Sequence, residues 1–175
     1  MVIWLIGISA SGKTTLGREI VRLWRATAPN TVLVDGDDVR DLFRTIGAPV
    51  GHSLADRRRN SERIIALCDW LDRQGINVVC CILSLFHDMQ RQNRDRFSQY
   101  FEVFVDTPLD VARNRDTKGV YTAAATGHRP NIVGIDIPFQ PPPLADLRID
   151  NAIDGMDMDM TARQVLAVAG VDVGI

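Results

Sequence analysis

Hydrophobic residues fall in short unbroken runs, separated by stretches in which they recur at helical spacing. Val2-Ile-Trp-Leu-Ile6 is apolar throughout and ends at Gly7, as a central parallel strand buried on both faces requires. Beyond a glycine-rich loop, Leu16, Ile20, Val21 and Leu23 recur at helical spacing up to about Arg25, and Thr31-Val-Leu-Val34 reads as a second strand stopped by Asp35-Gly36. Ile64, Ile65, Leu67, Cys68 and Leu71 predict one face of a long helix over about Ala55 to Arg73, with Gly75 as its stop, and Ile76 to Leu83 a third strand.

The alternation continues with a polar helix from about His87 to Phe97 and a fourth strand over Phe101 to Val105. Thr107-Pro108 opens a helix to about Asn114. Leu147 to Ile149 reads as a short fifth strand, and Thr161 as the cap of a final helix through Val168. Strands alternating with helices predict an α/β fold with a parallel sheet. Between Asp116 and Pro143 the periodicity lapses while Gly and Pro accumulate, so about 116–143 is expected to form a long lid on a one-domain chain of 175 residues.

Composition narrows the picture. With 20 Lys+Arg against 22 Asp+Glu, a net charge of −2 and a pI near 5.9, the chain lacks the basic footprint of a nucleic-acid binder. Cys68, Cys80 and Cys81 have neither metal-site nor disulfide spacing, and read as buried reduced thiols of a cytoplasmic protein. The apolar start is too short to span a bilayer, so no membrane partner is expected. Trp4, Trp24 and Trp70 are expected in or around the core, as are Met156, Met158 and Met160. His87 and His128 are expected to be polar surface or lid residues.

Chemistry enters at Gly7-Ile-Ser-Ala-Ser-Gly12-Lys13-Thr14. A glycine, four residues, then Gly-Lys-Thr, set between an apolar strand and a helix start, is a phosphate-binding loop. Its backbone N–H groups converge on phosphate oxygens and the helix directs its positive end at them. Lys13 would neutralise the β and γ phosphates of a nucleoside triphosphate, and the Thr14 hydroxyl would ligate Mg2+. Asp35-Gly-Asp37-Asp38-Val-Arg40 follows the second strand, at the sheet edge where such folds bind ligands. A carboxylate there can take a proton from an attacking hydroxyl or hold a metal-bound water, and Arg40 can grip an anion. In the run Asp56-Arg57-Arg58-Arg59-Asn60 with Arg63, one or two arginines are expected to reach a ligand and the rest to be solvated.

Together with Leu83-Ser84-Leu85-Phe86, Phe104-Val-Asp-Thr-Pro-Leu109, Arg115-Asp-Thr-Lys-Gly-Val-Tyr121, Gly134-Ile-Asp136 and the proline-rich stretch ending at Pro143, these motifs resemble adenylylsulfate kinase over about residues 2 to 151. That family phosphorylates the 3′-hydroxyl of adenosine 5′-phosphosulfate from ATP. The resemblance implies a P-loop kinase fold with a five-stranded parallel sheet flanked by helices on both sides, a mobile lid, a homodimer, and ATP with Mg2+ as cofactors. It places Gly7, Ser9, Ala10, Ser11, Gly12, Lys13, Thr14, Thr15 and Arg115 on ATP, Thr14 and Asp35 on the metal, and Asp37 as base, with Lys13 and Asp35 completing the catalytic set. Arg40, Arg57, Asn60, His52, Ser84, Leu85, Phe86, Lys118 and Ile132 fall on the acceptor side, with Asp37. Ser84 also aligns with a serine that some relatives carry phosphorylated, although a buried turn hydroxyl is its expected role here.

Family members hold the acceptor adenine between two phenylalanines, at positions that here read His52 and Ile132. Stacking on a base is worth about 1–3 kcal/mol, enough to change a preference. Leu85 replaces the usual proline of its turn, and Thr122-Ala-Ala124 stands where lysines are common. Adenosine 5′-phosphosulfate is therefore the first acceptor to consider and cytidine diphosphoramidate, the substrate of a related branch, the second. A non-catalytic nucleotide-binding protein is the rival class, against which the acceptor-side carboxylates count.

Overall fold

The computed structural model describes residues 1–48, 51–125, 130–152 and 155–174; His128 and Val50 lie outside them. Twelve elements are described: β1 (Val2–Ile6), α1 (Lys13–Trp24), β2 (Thr31–Asp35), α2 (Gly36–Thr45), α3 (Leu54–Arg73), β3 (Asn77–Ile82), α4 (His87–Arg96), β4 (Tyr100–Asp106), α5 (Leu109–Asn114), α6 (Val120–Ala125), β5 (Leu147–Asp150) and α7 (Met158–Val168). The five strands form one sheet in the order β2-β3-β1-β4-β5, and every pairing is parallel.

The unbroken apolar runs are explained by two cores, one on each face of the sheet. From β1, Ile3 and Leu5 pack with Leu16, Ile20 and Trp24 of α1 and Val165 and Leu166 of α7. Val2, Trp4 and Ile6 face the other way, onto Ile64, Ile65 and Cys68 of α3 and Met89 of α4. The adjacent cysteines of β3 divide between these layers by strand alternation, Cys80 into the second and Cys81 into the first. All three cysteines are buried free thiols. Gly17 lets α1 lie close on the sheet: a Cβ there would sit 2.4 Å from Cys81 Sγ.

Three expectations need correction. Trp70 is 56% exposed, because it falls off the stripe of Ile64, Cys68 and Leu71 that faces the sheet. Met160 is likewise exposed, while Met156 and Met158 pack partly against the core. The cap of α7 is Asp157, whose carboxylate accepts from Met160 N at 3.0 Å; Thr161 lies inside the first turn and donates to Asp157 O. The described part of the 116–143 stretch is partly regular. It contains α6 and a bridge between Val133 and Ile137, and it is pinned by a small core of Ile8, Ala112, Tyr121 and Ile132.

Candidate active site

At the carboxyl edge of the sheet the loop after central β1 and the loops after β2, β4 and β5 enclose a cleft of about 780 Å³. The chain turns at Gly7, where a Cβ would lie 2.7 Å from both Ser11 Oγ and Val105 O, so the turn needs glycine. Ala10 and Gly12 take left-handed conformations with φ of 60° and 85°. No side chain caps the N-terminus of α1, so its first amides remain directed at the loop.

Lys13 folds back under the loop, its Nζ donating to Ile8 O at 2.6 Å and Ser11 Oγ at 3.2 Å. Burial lowers its pKa from 10.5 to about 8, against the opposing pull of Cys81, Asp37 and Asp35. The Thr14 hydroxyl donates to Asp35 Oδ2 at 2.6 Å, and Asp35 Oδ1 accepts from Asp37 N at 2.8 Å. Asp35 is thus both the N-cap of α2 and the link between the phosphate loop and the opposite wall. Its carboxylate and the Thr14 hydroxyl form an all-oxygen pair of the kind Mg2+ accepts, since Mg2+ takes one or two protein oxygens and keeps water and phosphate for the rest. Among the described residues no cluster of three or more His, Cys, Asp or Glu could hold a metal by itself.

The opposite wall is built from α2, α3 and the 116–143 stretch. Asp37 opens to solvent and receives Lys118 Nζ at 2.6 Å. Desolvation works to raise the Asp37 carboxyl, but Lys118, with Arg40 and Lys13 adding to it, holds it below its ordinary value. Arg40 Nη1 lies 3.1 Å from His52 Nδ1; because a guanidinium only donates, Nδ1 is the acceptor in this contact. Arg57 donates to His52 O at 3.0 Å and to Asn131 O at 2.9 Å, tying the start of α3 to the loop carrying Ile132. Arg40 Nε and Asn60 Oδ1 are buried with no hydrogen-bond partner, as are Trp4 Nε1, Gln90 Oε1, Asn93 Oδ1 and Glu102 Oε1 away from the cleft.

The cleft brings together Ser9 to Thr15, Asp35, Asp37, Arg40, His52, Arg57, Asn60, Arg115, Lys118 and Ile132. It does not bring in Gly7, which lies behind the loop, or the Ser84-Leu85-Phe86 turn. Ser84 is buried and accepts from Gln90 Nε2 at 3.1 Å, and Phe86 lies under the Arg58 guanidinium, 4.7 Å from its centroid. Of the arginines in the basic run, Arg57 lines the cleft, while Arg58 pairs with Asp88 and Arg59 with Asp56. Ile132 contributes to the wall but is only 2% exposed, held in the small core with Tyr121. Tyr121 OH donates to Ser9 O at 3.0 Å, fastening α6 to the phosphate loop.

Sequence reasoning missed Asn151, Met156 and Met158, which close the cleft beside Arg115. The signal for Asn151 was its place just after β5, the same sheet edge that singled out Asp35. No helix among the described residues is long and apolar enough to cross a membrane.

Comparison with known proteins places this architecture. The adenylylsulphate kinase family model matches residues 1–150. An adenylyl-sulfate kinase of Synechococcus sp. is 34% identical over 142 residues, covering 81% of this chain and 79% of that one. The cytidine diphosphoramidate kinase of Campylobacter jejuni is 31% identical over 154 residues, covering 86% of each. Against the bifunctional enzymes NodQ of Rhizobium tropici and Azospirillum brasilense, the chain spans only 23% and 26% of their length. Among solved structures, the Mycobacterium tuberculosis APS kinase in complex with AMPPNP and APS superposes with a TM-score of 0.86 at 29% identity, covering 97% of this chain and 96% of that one. With its phosphate loop, its carboxylate-bearing opposite wall and a family match over 150 of its 175 residues, the chain belongs to the adenylylsulphate kinase family.

Proposed function

We propose that this protein is a Mg2+-ATP-dependent kinase that phosphorylates the ribose 3′-hydroxyl of a 5′-modified nucleotide, with adenosine 5′-phosphosulfate as acceptor. The observation that carries this reading is the two-walled cleft. One wall is the phosphate loop with Lys13; the other is lined by Asp37, Arg40, Arg57 and Asn60. The chain Thr14–Asp35–Asp37 N joins the two walls. A pure nucleotide binder has no use for the second wall.

In this mechanism the loop amides and Lys13 hold the β and γ phosphates, and the 3′-oxygen of the acceptor attacks the γ-phosphorus in line as the bond to ADP breaks. Asp37 accepts the hydroxyl proton, taking the acceptor hydroxyl in place of Lys118. Opening that contact costs little, because exposed ion pairs are worth about 0–1 kcal/mol. Thr14 and Asp35 would hold Mg2+, which neutralises phosphate charge when bound. Arg40, Arg57 and Asn60 grip the anionic 5′ group, and Arg115 lies on the nucleotide side. Positioning and charge carry most of the rate. The 116–143 stretch serves as the lid of the cleft.

One observation favours a second acceptor. His52 is engaged by Arg40, and Ile132 is buried against Tyr121, so neither wall offers an aromatic ring pair for adenine. Cytidine diphosphoramidate, the substrate named for the Campylobacter relative, is the second reading. The test is ADP release from Mg2+-ATP with each acceptor at matched concentration. Turnover with the phosphosulfate supports the first reading, turnover with the cytidine compound alone supports the second, and turnover with neither leaves the non-catalytic class.

A further inference from the structure

We infer that Asn151 is a positioning residue for phosphate binding: its side-chain amide fixes the orientation of the Ser11 carbonyl, and with it the donor ring of the phosphate loop. The inference rests on the reading of that loop as a triphosphate site. Asn151 directly follows β5 and is 3% exposed. Its backbone N–H donates to Asp106 O at 2.8 Å, continuing the β4–β5 register, in which Asp150 lies opposite Asp106. The Asn151 backbone is therefore anchored to the sheet independently of the loop.

From that anchor Nδ2 donates to Ser11 O at 2.9 Å, and Thr107 Oγ1, just past the end of β4, approaches the same oxygen at 3.4 Å. Two side chains from the sheet edge thus pull one loop carbonyl toward themselves. A peptide unit has two ends, so turning this carbonyl toward the sheet turns the following N–H, that of Gly12, the other way. Were the peptide to flip, a partial negative charge would replace a donor in a ring meant for phosphate oxygens. The flanking backbone is suited to such a flip, since Ala10 and Gly12 both have positive φ and α1 has no capping side chain to hold its start.

The same residue reaches the donor side a second time. Arg115 Nη1 donates to Asn151 O at 3.2 Å, so one position ties the sheet edge, the phosphate loop and Arg115 together. Packing is close: a Cβ on Gly12 would lie 3.1 Å from Asn151 Nδ2. Sequence spacing cannot reveal this, because 140 residues separate Asn151 from Ser11.

The test uses Asn151→Ala and the isosteric Asn151→Asp. The latter keeps the shape but replaces the donor with a carboxylate facing the Ser11 carbonyl. Binding of AMPPNP is measured directly, without acceptor. Asn151→Ala is expected to weaken it about tenfold, the effect of one lost buried hydrogen bond, and Asn151→Asp more. The 31P resonance of the β-phosphate of bound ADP is expected to move in both variants, and KM for the acceptor to stay within about twofold in any variant that turns over. AMPPNP affinity within about twofold of wild type, or a lowered melting temperature with an unmoved β-phosphate resonance, would overturn the inference and leave the site reading intact. Failure of the wild type to bind AMPPNP would overturn both. Should neither variant fold, wild-type amide exchange decides: a slowly exchanging Asn151 side-chain N–H supports the inference and a fast one refutes it.

Discussion

Replacing Lys13 with methionine should abolish phosphoryl transfer while making the unliganded protein more stable. The wild-type ammonium is held under the loop, and its pKa falls from 10.5 to about 8 chiefly because burial disfavours its charge. At about 1.36 kcal/mol per pH unit, that fall corresponds to a cost of about 3 kcal/mol for keeping Lys13 charged at neutral pH. The methionine variant leaves Ile8 O without the donor that it has at 2.6 Å, which takes back about 1 kcal/mol. Partial solvent access at Lys13 reduces the remainder, so a net gain of about 1–2 kcal/mol is expected, or about 2–6 °C in Tm for a chain of this size.

The pH dependence identifies the cause. Between about pH 8 and 10.5 the unfolded chain holds the Lys13 proton and the folded chain does not, so wild-type stability rises through that window. Below about pH 8 the full cost is present. The advantage of Lys13→Met should therefore be largest at pH 7 and shrink toward pH 10.5. The Cys81 thiol, which burial pushes up to about 12, loses the lowering pull of Lys13 in the variant and rises further, but it stays protonated in both folded proteins up to pH 10 and so cancels in the difference over this window. Urea unfolding without nucleotide at pH 7, 8.5 and 10 measures it. A variant no more stable than wild type at pH 7, or an advantage that does not shrink, would refute the reasoning.

Three further outcomes follow from the same geometry. Asp37→Asn should lower turnover about 10²–10⁴-fold while AMPPNP affinity stays within about twofold, checked by steady-state kinetics and calorimetry. Lys118→Met removes the cation that outweighs desolvation at Asp37, so the Asp37 pKa rises and the acidic limb of the kcat/KM profile should move to higher pH; an unmoved limb would separate Asp37 from that titration. Gly17→Ala places a methyl 2.4 Å from Cys81 Sγ and 3.1 Å from Leu33 Cδ1. It should cost about 1–3 kcal/mol of stability, much of it restored when Cys81→Ala is added, as urea unfolding would show.

What could be read in the sequence is what depends on local pattern. Strands buried on both faces appear as unbroken apolar runs, and the phosphate loop is contiguous, so β1 and residues 7 to 15 were legible directly. Helix α2 was not, because Gly36-Asp-Asp reads as a turn until Asp35 is seen capping it and Val39 burying beneath it. Helix α6 is only six residues long and depends on Tyr121 reaching Ser9 and the small core. The Ser84-Leu85-Phe86 turn carried family resemblance but lies off the cleft, whereas Asn151 carried little and lies on the phosphate loop. Contacts across more than a hundred residues are set by sheet order, which periodicity does not encode.

The central claim, transfer of the γ-phosphoryl group of ATP to the 3′-hydroxyl of a 5′-modified nucleotide, is tested most directly by 1H–31P correlation NMR of the reaction product. The account predicts a new phosphate monoester coupled to the ribose H3′, formed with adenosine 5′-phosphosulfate or cytidine diphosphoramidate and absent with the matching 3′-deoxy acceptor. A phosphate found on the 5′ substituent, or ADP release that proceeds at the same rate without any acceptor, would contradict it.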